Sequence, residues 1–330
     1  MLNLTDFKNQ NIMVCGDLIA DVYEYGIIKR MSREAPIPIV EFESEKLILG
    51  GAGNVVANIR SLQGNVVPVS ILGKDLTGEN VLNLLSSLNI NTTGIISSPS
   101  IFTTTKRRVL AQGEHTVRQQ ILRLDRLPDK TLDDLTLSNL WDLCQEKIQQ
   151  VKAVIISDYH LPLIPLSFLM ELSETALNAN KYVIVDSRHR MLEFRGVTLI
   201  TPNRSEAEEA LGTEIKTIDQ LKKAGKFLQE KTESGLLLIT LGDEGMALFE
   251  SGKEMQLIPV YNRQEVFDVS GAGDTVVSAI TLGLLSGMEP VTAAKFANIA
   301  AGLVVRKLGT ATVSQEELLT EFQTKNIILD

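Results

Sequence analysis

The sequence predicts an α/β fold: a central, mostly parallel sheet with helices on both faces, plus a small β-sheet lid. Three observations predict it. Apolar strand-like runs alternate with runs of helical period over most of the chain, the pattern of parallel strands joined by crossover helices. Two strand-rich stretches, approximately residues 17–48 and 98–127, break that alternation and read as a separate small sheet over one edge of the body. No repeat or low-complexity linker interrupts the 330 residues, 44% of them hydrophobic, so residues 1–330 are expected to form one domain.

Asn11 to Cys15 is a short apolar strand ending in Gly16-Asp17. From Asp21 to Glu43 the chain is strand-like but irregular, with Tyr23, Tyr25, Phe42 and an interruption at Pro36-Ile37-Pro38, and Leu47 to Leu49 reads as a short strand. Asn54 to Leu62 reads as helix, Val66 to Leu72 as a buried strand closed by Gly73, and Gly78 to Leu88 as amphipathic helix. Phe102 to Leu110 and Thr116 to Leu124 alternate as strands do, with Gln112-Gly113-Glu114 a hairpin signal between them. Strands then follow at Ala153–Ser157, Tyr182–Val185, Thr198–Ile200 and Gly235–Thr240. Helices around Leu166–Ala179, Ser205–Leu211 and Leu221–Lys231 lie between them, and the chain closes with helices from Asp274, Val291 and Ser314. Ligands bind at the carboxyl ends of the strands in such sheets, so Gly16-Asp17, Ser157-Asp158, Asp186, Thr201-Pro202-Asn203 and Thr240-Leu241-Gly242 should converge on one rim.

The formal net charge of −9, from 32 basic and 41 acidic side chains, argues against a general nucleic-acid or membrane-surface binder. Cys15 and Cys144 lack metal-ligand spacing and read as buried thiols in a reducing compartment. The polar Met1 to Gln10 carries no signal-peptide core and no apolar run approaches membrane-spanning length, so a cytoplasmic protein is expected. The aromatic and β-branched content of the lid segments leads us to expect a homodimer paired through lid strand edges.

Chemistry concentrates in Asp268-Val269-Ser270-Gly271-Ala272-Gly273-Asp274. Its glycines permit turn conformations that aim successive amides at one point, and the positive end of the following helix dipole adds to that field. Asp274, at the helix start, stands where it can take a proton from an attacking hydroxyl. A turn that merely caps a helix is the plainer alternative. No Lys follows the glycines and no G-x-x-x-x-G-K-[ST] occurs, which excludes a P-loop kinase. Gly51-Ala52-Gly53-Asn54-Val55-Val56, with Asp75 about 20 residues on, also resembles part of a dinucleotide-binding fingerprint. Val56 in place of the third glycine, the short preceding strand and the position after a lid segment count against a dehydrogenase.

Taken together, Gly50-Gly51-Ala52-Gly53-Asn54 and the 268–274 segment resemble the two signature segments of the ribokinase/PfkB family of sugar kinases, and the resemblance covers nearly the whole chain. Ser32 to Pro38, Arg123-Leu124-Asp125, Ser157-Asp158-Tyr159, Thr201-Pro202-Asn203 and Lys307 to Ser314 are more specifically similar to the heptose 7-phosphate kinases of lipopolysaccharide synthesis. That resemblance implies a ribokinase-like fold and ATP-dependent phosphorylation of D-glycero-β-D-manno-heptose 7-phosphate at its anomeric oxygen. Kinases of fructose, ribose, ketodeoxygluconate or a sugar phosphate are the alternatives, and a kinase-fold protein that only regulates a partner is a third. The nucleotidylyltransferase domain frequent in that family is not expected.

By the same resemblance Asp274 is the general base, and the amides of Gly271, Ala272, Gly273 and Asp274 stabilise the transferring phosphoryl group while Mg²⁺ bridges the phosphates. Asn203 and Glu206 stand near metal and phosphate, reaching Mg²⁺ partly through water. A purely first-turn role for Glu206 stays open. Thr240, Gly242 and Gly245 border the nucleotide, with Asn298 in the adenine wall or simply a satisfied helix Asn. Asp268 and Ser270, with the Lys307 to Ser314 loop, match a monovalent-cation site, K⁺ being expected. For the sugar, Asp17, Asp21, Gly50, Gly51, Asn54 and Asp158 are the candidates. A phosphate on it would need cations, offered by Lys106, Arg107, Arg108, Arg118, Arg123, Arg188 and Arg190, with Lys106 and Arg108 on one strand face and Arg107 on the other. Two departures fall on the predicted rim: His160-Leu161-Pro162 where heptose kinases carry a Lys-Gly pair, and Asp186-Ser187-Arg188 where they carry Asp-Pro-Lys.

Overall fold

Strands of the body alternate their side chains between two hydrophobic cores. The computed structural model describes residues 4–113, 117–261, 268–307, 309–327 and 329. Among them the strands form one sheet of nine and one of four. In chain order the larger sheet contains β1 (Asn11–Gly16), β4 (Asn65–Gly73), β5 (Ile95–Ser98), β8 (Ala153–Asp158), β9 (Tyr182–Ser187), β10 (Leu199–Ile200), β11 (Leu236–Thr240), β12 (Met246–Glu250) and β13 (Gln256–Ile258). Its spatial order is β13-β12-β11-β10-β9-β8-β1-β4-β5, parallel from β11 to β5, with β12 and β13 added antiparallel at one edge.

Ile12 and Val14 of β1 point into a core with α1 (Ala52–Ser61), α7 (Ala272–Leu285) and α8 (Pro290–Val304). Met13 and Cys15 point into the other, with α3 (Asp134–Ile148), α4 (Leu166–Asn178) and α6 (Ile218–Thr232). Burial on both faces is why these strands read as continuous apolar runs. The remaining helices are α2 (Leu76–Ser87), α5 (Arg204–Leu211) and α9 (Gln315–Lys325).

The smaller sheet is the lid, ordered β3 (Pro38–Gly51), β2 (Leu18–Met31), β6 (Thr105–Gln112), β7 (Gln119–Arg126). β2 pairs antiparallel with β3, from Leu18 opposite Gly51 to Met31 opposite Pro38. The segment expected to end in a short strand is therefore half of a long hairpin, and Pro36-Ile37-Pro38 marks its turn. Glu114 of the expected hairpin signal and Thr116 at the start of the next expected strand lie outside the described residues.

The dinucleotide alternative fails here. Gly51 ends a lid strand and caps α1 at φ 59°, where a Cβ would stand 2.3 Å from the Asp17 carbonyl oxygen. Asp75 caps α2 through Gly78 N–H (2.8 Å) and takes a second bond from Thr103, so it faces no ribose pocket. Thus the glycines join lid to body at the rim, beside Asp17, which itself follows β1 directly.

Candidate active site

Asp274 stands in the first turn of α7, behind Gly271 at φ 79°. A Cβ at Gly271 would meet Asn54 Nδ2 at 2.5 Å, whereas one at Gly273 would meet nothing within 4 Å, so the amide cradle opens at Gly273. Ala272 N–H turns back to the Val269 carbonyl (3.2 Å). The Asp274 carboxylate is 5% exposed and both its oxygens are held: Asn54 Nδ2 donates to Oδ2 (2.7 Å) and the Tyr159 hydroxyl to Oδ1 (2.9 Å). Burial pushes its pKa up to about 6, opposed by those two hydrogen bonds and the Arg188 charge.

A directed relay sets the Asn54 amide. Thr275 Oγ1 donates to Asn58 Oδ1 (2.9 Å) and Asn58 Nδ2 donates to Asn54 Oδ1 (3.1 Å), which leaves the Asn54 nitrogen to face Asp274. All of these groups lie on the contact between α1 and α7, so the two signature segments meet as two helix starts.

The predicted rim forms. Asp158, Asp186, Thr201, Asn203, Glu206 and Thr240 line a polar cavity of about 250 Å³ together with Gly271, Gly273 and Asp274. Asp186 is pushed well above the ordinary carboxylate range by burial and then by the charges of Asp274 and Glu206; a 3.5 Å bond from Thr201 Oγ1 only partly offsets this. Asn203 and Glu206 form a capping box on α5, so the first-turn role of Glu206 is realised while its carboxylate still borders the cavity. A second cavity of about 570 Å³ shares Asn203, Thr240, Val269 and Gly273 with the first. Leu241, Met246, Val276 and Ala301 make it apolar, and Gly242, Gly245 and Asn298 complete its wall. Asn298 Nδ2 donates to the Pro259 carbonyl (2.7 Å), which satisfies its amide.

On the sugar side, Asp17 is 5% exposed, accepts from Tyr159 N–H (2.9 Å), and is raised to about 7 by burial above all. Asp21 pairs with Arg108 (2.6 Å) and accepts from Thr310, and Gly50 leaves room for its carboxylate. Asp158 lines the cavity, yet its oxygens are already held by Arg190, Ser187 Oγ and His160 N–H. The expected strand alternation holds: Lys106 and Arg108 face the site, and Arg107 pairs with Glu24 and Glu45 on the other side. Arg118 pairs with Glu43 and Arg123 with Asp125. Lys106 and Arg188 have no carboxylate within 4 Å among the described residues; both sit over the Tyr159 ring, 5.6 and 4.4 Å from its centroid. Burial and then the Arg188 charge lower the Lys106 pKa.

Asp268 joins two loops, accepting from Ser270 N–H (2.8 Å) and Gly309 N–H (3.0 Å), while Leu308 lies outside the described residues. Tyr159 is the residue that site prediction passed over. Its signals were its place in the Ser157-Asp158-Tyr159 run and its position directly after a strand end on the rim.

A doubly covered parallel sheet with a β lid, a buried carboxylate at a helix start and adjoining polar and apolar cavities defines a phosphotransferase acting on a small polyhydroxy acceptor. Residues 9–317 match the family described as pfkB family carbohydrate kinase. The chain belongs to that family and is a sugar kinase of it; such kinases work with ATP and Mg²⁺. It is 39% identical over 322 residues, 97% of this chain, to the "Bifunctional protein HldE" of Desulfatibacillum aliphaticivorans, and 38% identical over 310 residues to that of Helicobacter pylori strain P12. It spans 65 and 66% of those relatives' own lengths, a little under two thirds. Among solved structures, phosphofructokinase-2 from Escherichia coli in complex with substrates and products superposes with a TM-score of 0.77 at 19% identity, over 96% of this chain and 99% of that one. Arabidopsis thaliana ribokinase complexed with ribose and ATP gives 0.71 at 19% identity, over 94% and 98%.

Proposed function

We propose that the chain phosphorylates a sugar that already carries a phosphate, and that its substrate is D-glycero-β-D-manno-heptose 7-phosphate, converted to the 1,7-bisphosphate. One observation carries the reading: of the seven cations offered for a phosphate, Lys106 and Arg188 alone have no carboxylate within 4 Å among the described residues, and both sit over the ring of Tyr159, whose hydroxyl donates to Asp274. Two adjacent cations with no carboxylate of their own, one of them partly buried, fit an anionic substrate. Asp274 takes the proton of the anomeric hydroxyl, and the amides at Gly273 and Asp274 face the γ-phosphoryl group as charge builds on it. Asp17 and Asn54 orient the sugar from the side where the lid joins the body.

The crowding of Asp186, Glu206 and Asp274 around one polar cavity fits a divalent cation, whose charge relieves their mutual repulsion. Among the described residues no three acidic, His or Cys side chains enclose a metal unaided. Mg²⁺ would therefore be held mainly by phosphate oxygens and water, with Asn203 and Glu206 bordering it. Near Asp268 and Ser270 the two tied loops can offer main-chain carbonyls to K⁺. A reaction that consumes ATP fits the cytoplasm, and the exposed Phe42, Leu122 and Leu124 of the lid support a homodimer through that sheet.

Another sugar is the second reading, favoured by the departures at His160-Leu161-Pro162 and Ser187-Arg188, which lie on the rim beside Tyr159. ADP release measured over a panel of free and phosphorylated sugars separates the two: heptose 7-phosphate should give the highest kcat/KM. A free sugar giving the highest value would refute the proposal, and release with none of them would favour a regulatory protein.

A further inference from the structure

Of the cations offered for a phosphate, Lys106 and Arg188 alone have no carboxylate within 4 Å among the described residues; they meet over the ring of Tyr159, and the hydroxyl of that same tyrosine ends on Asp274. We propose that Tyr159 is a positioning residue for both halves of the reaction: its hydroxyl fixes the Asp274 carboxylate, and its ring seats Lys106 and Arg188 for the acceptor's anionic group. This rests on the reading of Asp274 as base and of the acceptor as a sugar phosphate.

Each carboxylate oxygen can accept two hydrogen bonds. Asn54 fills one site on Oδ2 and Tyr159 one on Oδ1, so the carboxylate cannot turn about Cβ–Cγ without breaking a bond of 2.7 or 2.9 Å, while a free site stays open for the sugar hydroxyl. Tyr159 is itself anchored. Its N–H donates to Asp17 Oδ2 (2.9 Å), and the next residue, His160, donates from its N–H to Asp158 Oδ1 (2.9 Å). The ring cannot withdraw while both hold. Lys106 reaches it from β6 in the lid and Arg188 from the loop after β9 in the body, so closure of lid on body is read out at this one ring. A tyrosine that only filled space would need neither the cations nor the base as neighbours.

The groups facing Asp274 come from several elements: Asp21 on β2, already paired with Arg108; Asp186 on β9; Arg188 beyond it; and Tyr159 after β8. Lys106 on β6, Asp17 after β1 and Glu206 on α5 form the next layer. Of these, Tyr159 alone donates to Asp274 from the rim, and burial holds its hydroxyl protonated well past the usual range, so it stays a donor.

The test compares wild type, Tyr159→Phe, Tyr159→Leu and Asp274→Asn for kcat and KM over about pH 5 to 9, using the sugar of the panel with the highest turnover. Removing one donor from the base should move the acid limb of kcat/KM up by about one pH unit in both Tyr159 variants. The Phe variant should then lose about fivefold at pH 6, recover to within about twofold at pH 8.5, and keep the wild-type sugar KM. The Leu variant should add a rise of about tenfold in sugar KM, because the platform for the cations is gone. A Phe variant with an unmoved acid limb, or one slowed equally at every pH, overturns the hydroxyl's role; a Leu variant with the KM of Phe overturns the ring's. The Phe variant is nearly isosteric and keeps the test decisive where Leu does not fold. Failure of the base reading shows separately, as turnover retained by Asp274→Asn.

Discussion

A buried carboxylate can serve as a base only if something keeps it ionised and still. At Asp274 that work falls to side chains from other elements, Asn54 and Tyr159, with the Asn54 amide oriented in turn by Asn58 and Thr275. Asp274→Asn should lower kcat by at least about 10³ while the melting temperature holds or rises, since a costly buried charge is removed along with the base. Thermal unfolding and single-turnover kinetics on the same preparation check both halves. Activity should also fall as pH drops through about 6, where Asp274 takes up its proton. Gly271→Ala places a Cβ 2.5 Å from Asn54 Nδ2 in a left-handed backbone, so it should cost about 1–2 kcal/mol of stability and more than tenfold in kcat. Denaturant melts and ADP release measure these. At this scale Asp274, Asn54 and the glycines were legible because backbone geometry demands particular residue types there. Tyr159 was not, because nothing local to a Ser-Asp-Tyr run says which acceptor its hydroxyl will find.

Elements were legible where their burial is uniform. Helix α7 is buried along nearly its whole length and announced itself as an apolar helical run, and β1, β8 and β9 did so as apolar strands. Strand β3 did not, because its middle, Glu41 to Lys46, is solvent-exposed and its pairing with β2 is long-range. The antiparallel β12 and β13 were missed for another reason: no α-helix separates them from β11, and the edge strand β13 is only three residues long. Helix α5 shows one element doing two jobs, since Asn203 caps it and lines both cavities. Asn203→Ala should therefore cost about 1 kcal/mol in stability and raise the KM for ATP with little change in that for the sugar. A melt alongside two substrate titrations tests this, and equal changes in both KM values would refute a nucleotide-side role.

Across the molecule, burial of acidic groups at the strand ends sets a pH signature. Asp17 and Asp274 are raised to about 7 and about 6, so the native state holds their protons more tightly than the unfolded chain does. The stability this contributes is complete below the ordinary carboxylate range and is lost as pH rises through those values. The melting temperature should thus fall between about pH 4 and 7, and Asp17→Asn should flatten that fall; an unchanged slope would show that Asp17 is not the source. The lid carries a separate expectation at this scale. Phe42→Glu or Leu124→Glu should convert a homodimer to monomer by light scattering, whereas a wild-type monomer at micromolar concentration would remove the dimer altogether. Alternating apolar runs and two glycine-rich signatures determined, by themselves, the sheet, the lid and the residue that stands at the helix start, because local sterics and burial leave few other uses for such patterns. Only the tertiary structure decided which charges are neutralised by neighbours and which are left for a ligand, since pairing of Arg108 with Asp21, Arg190 with Asp158 and Asp274 with Tyr159 joins residues between 32 and 115 positions apart in the chain.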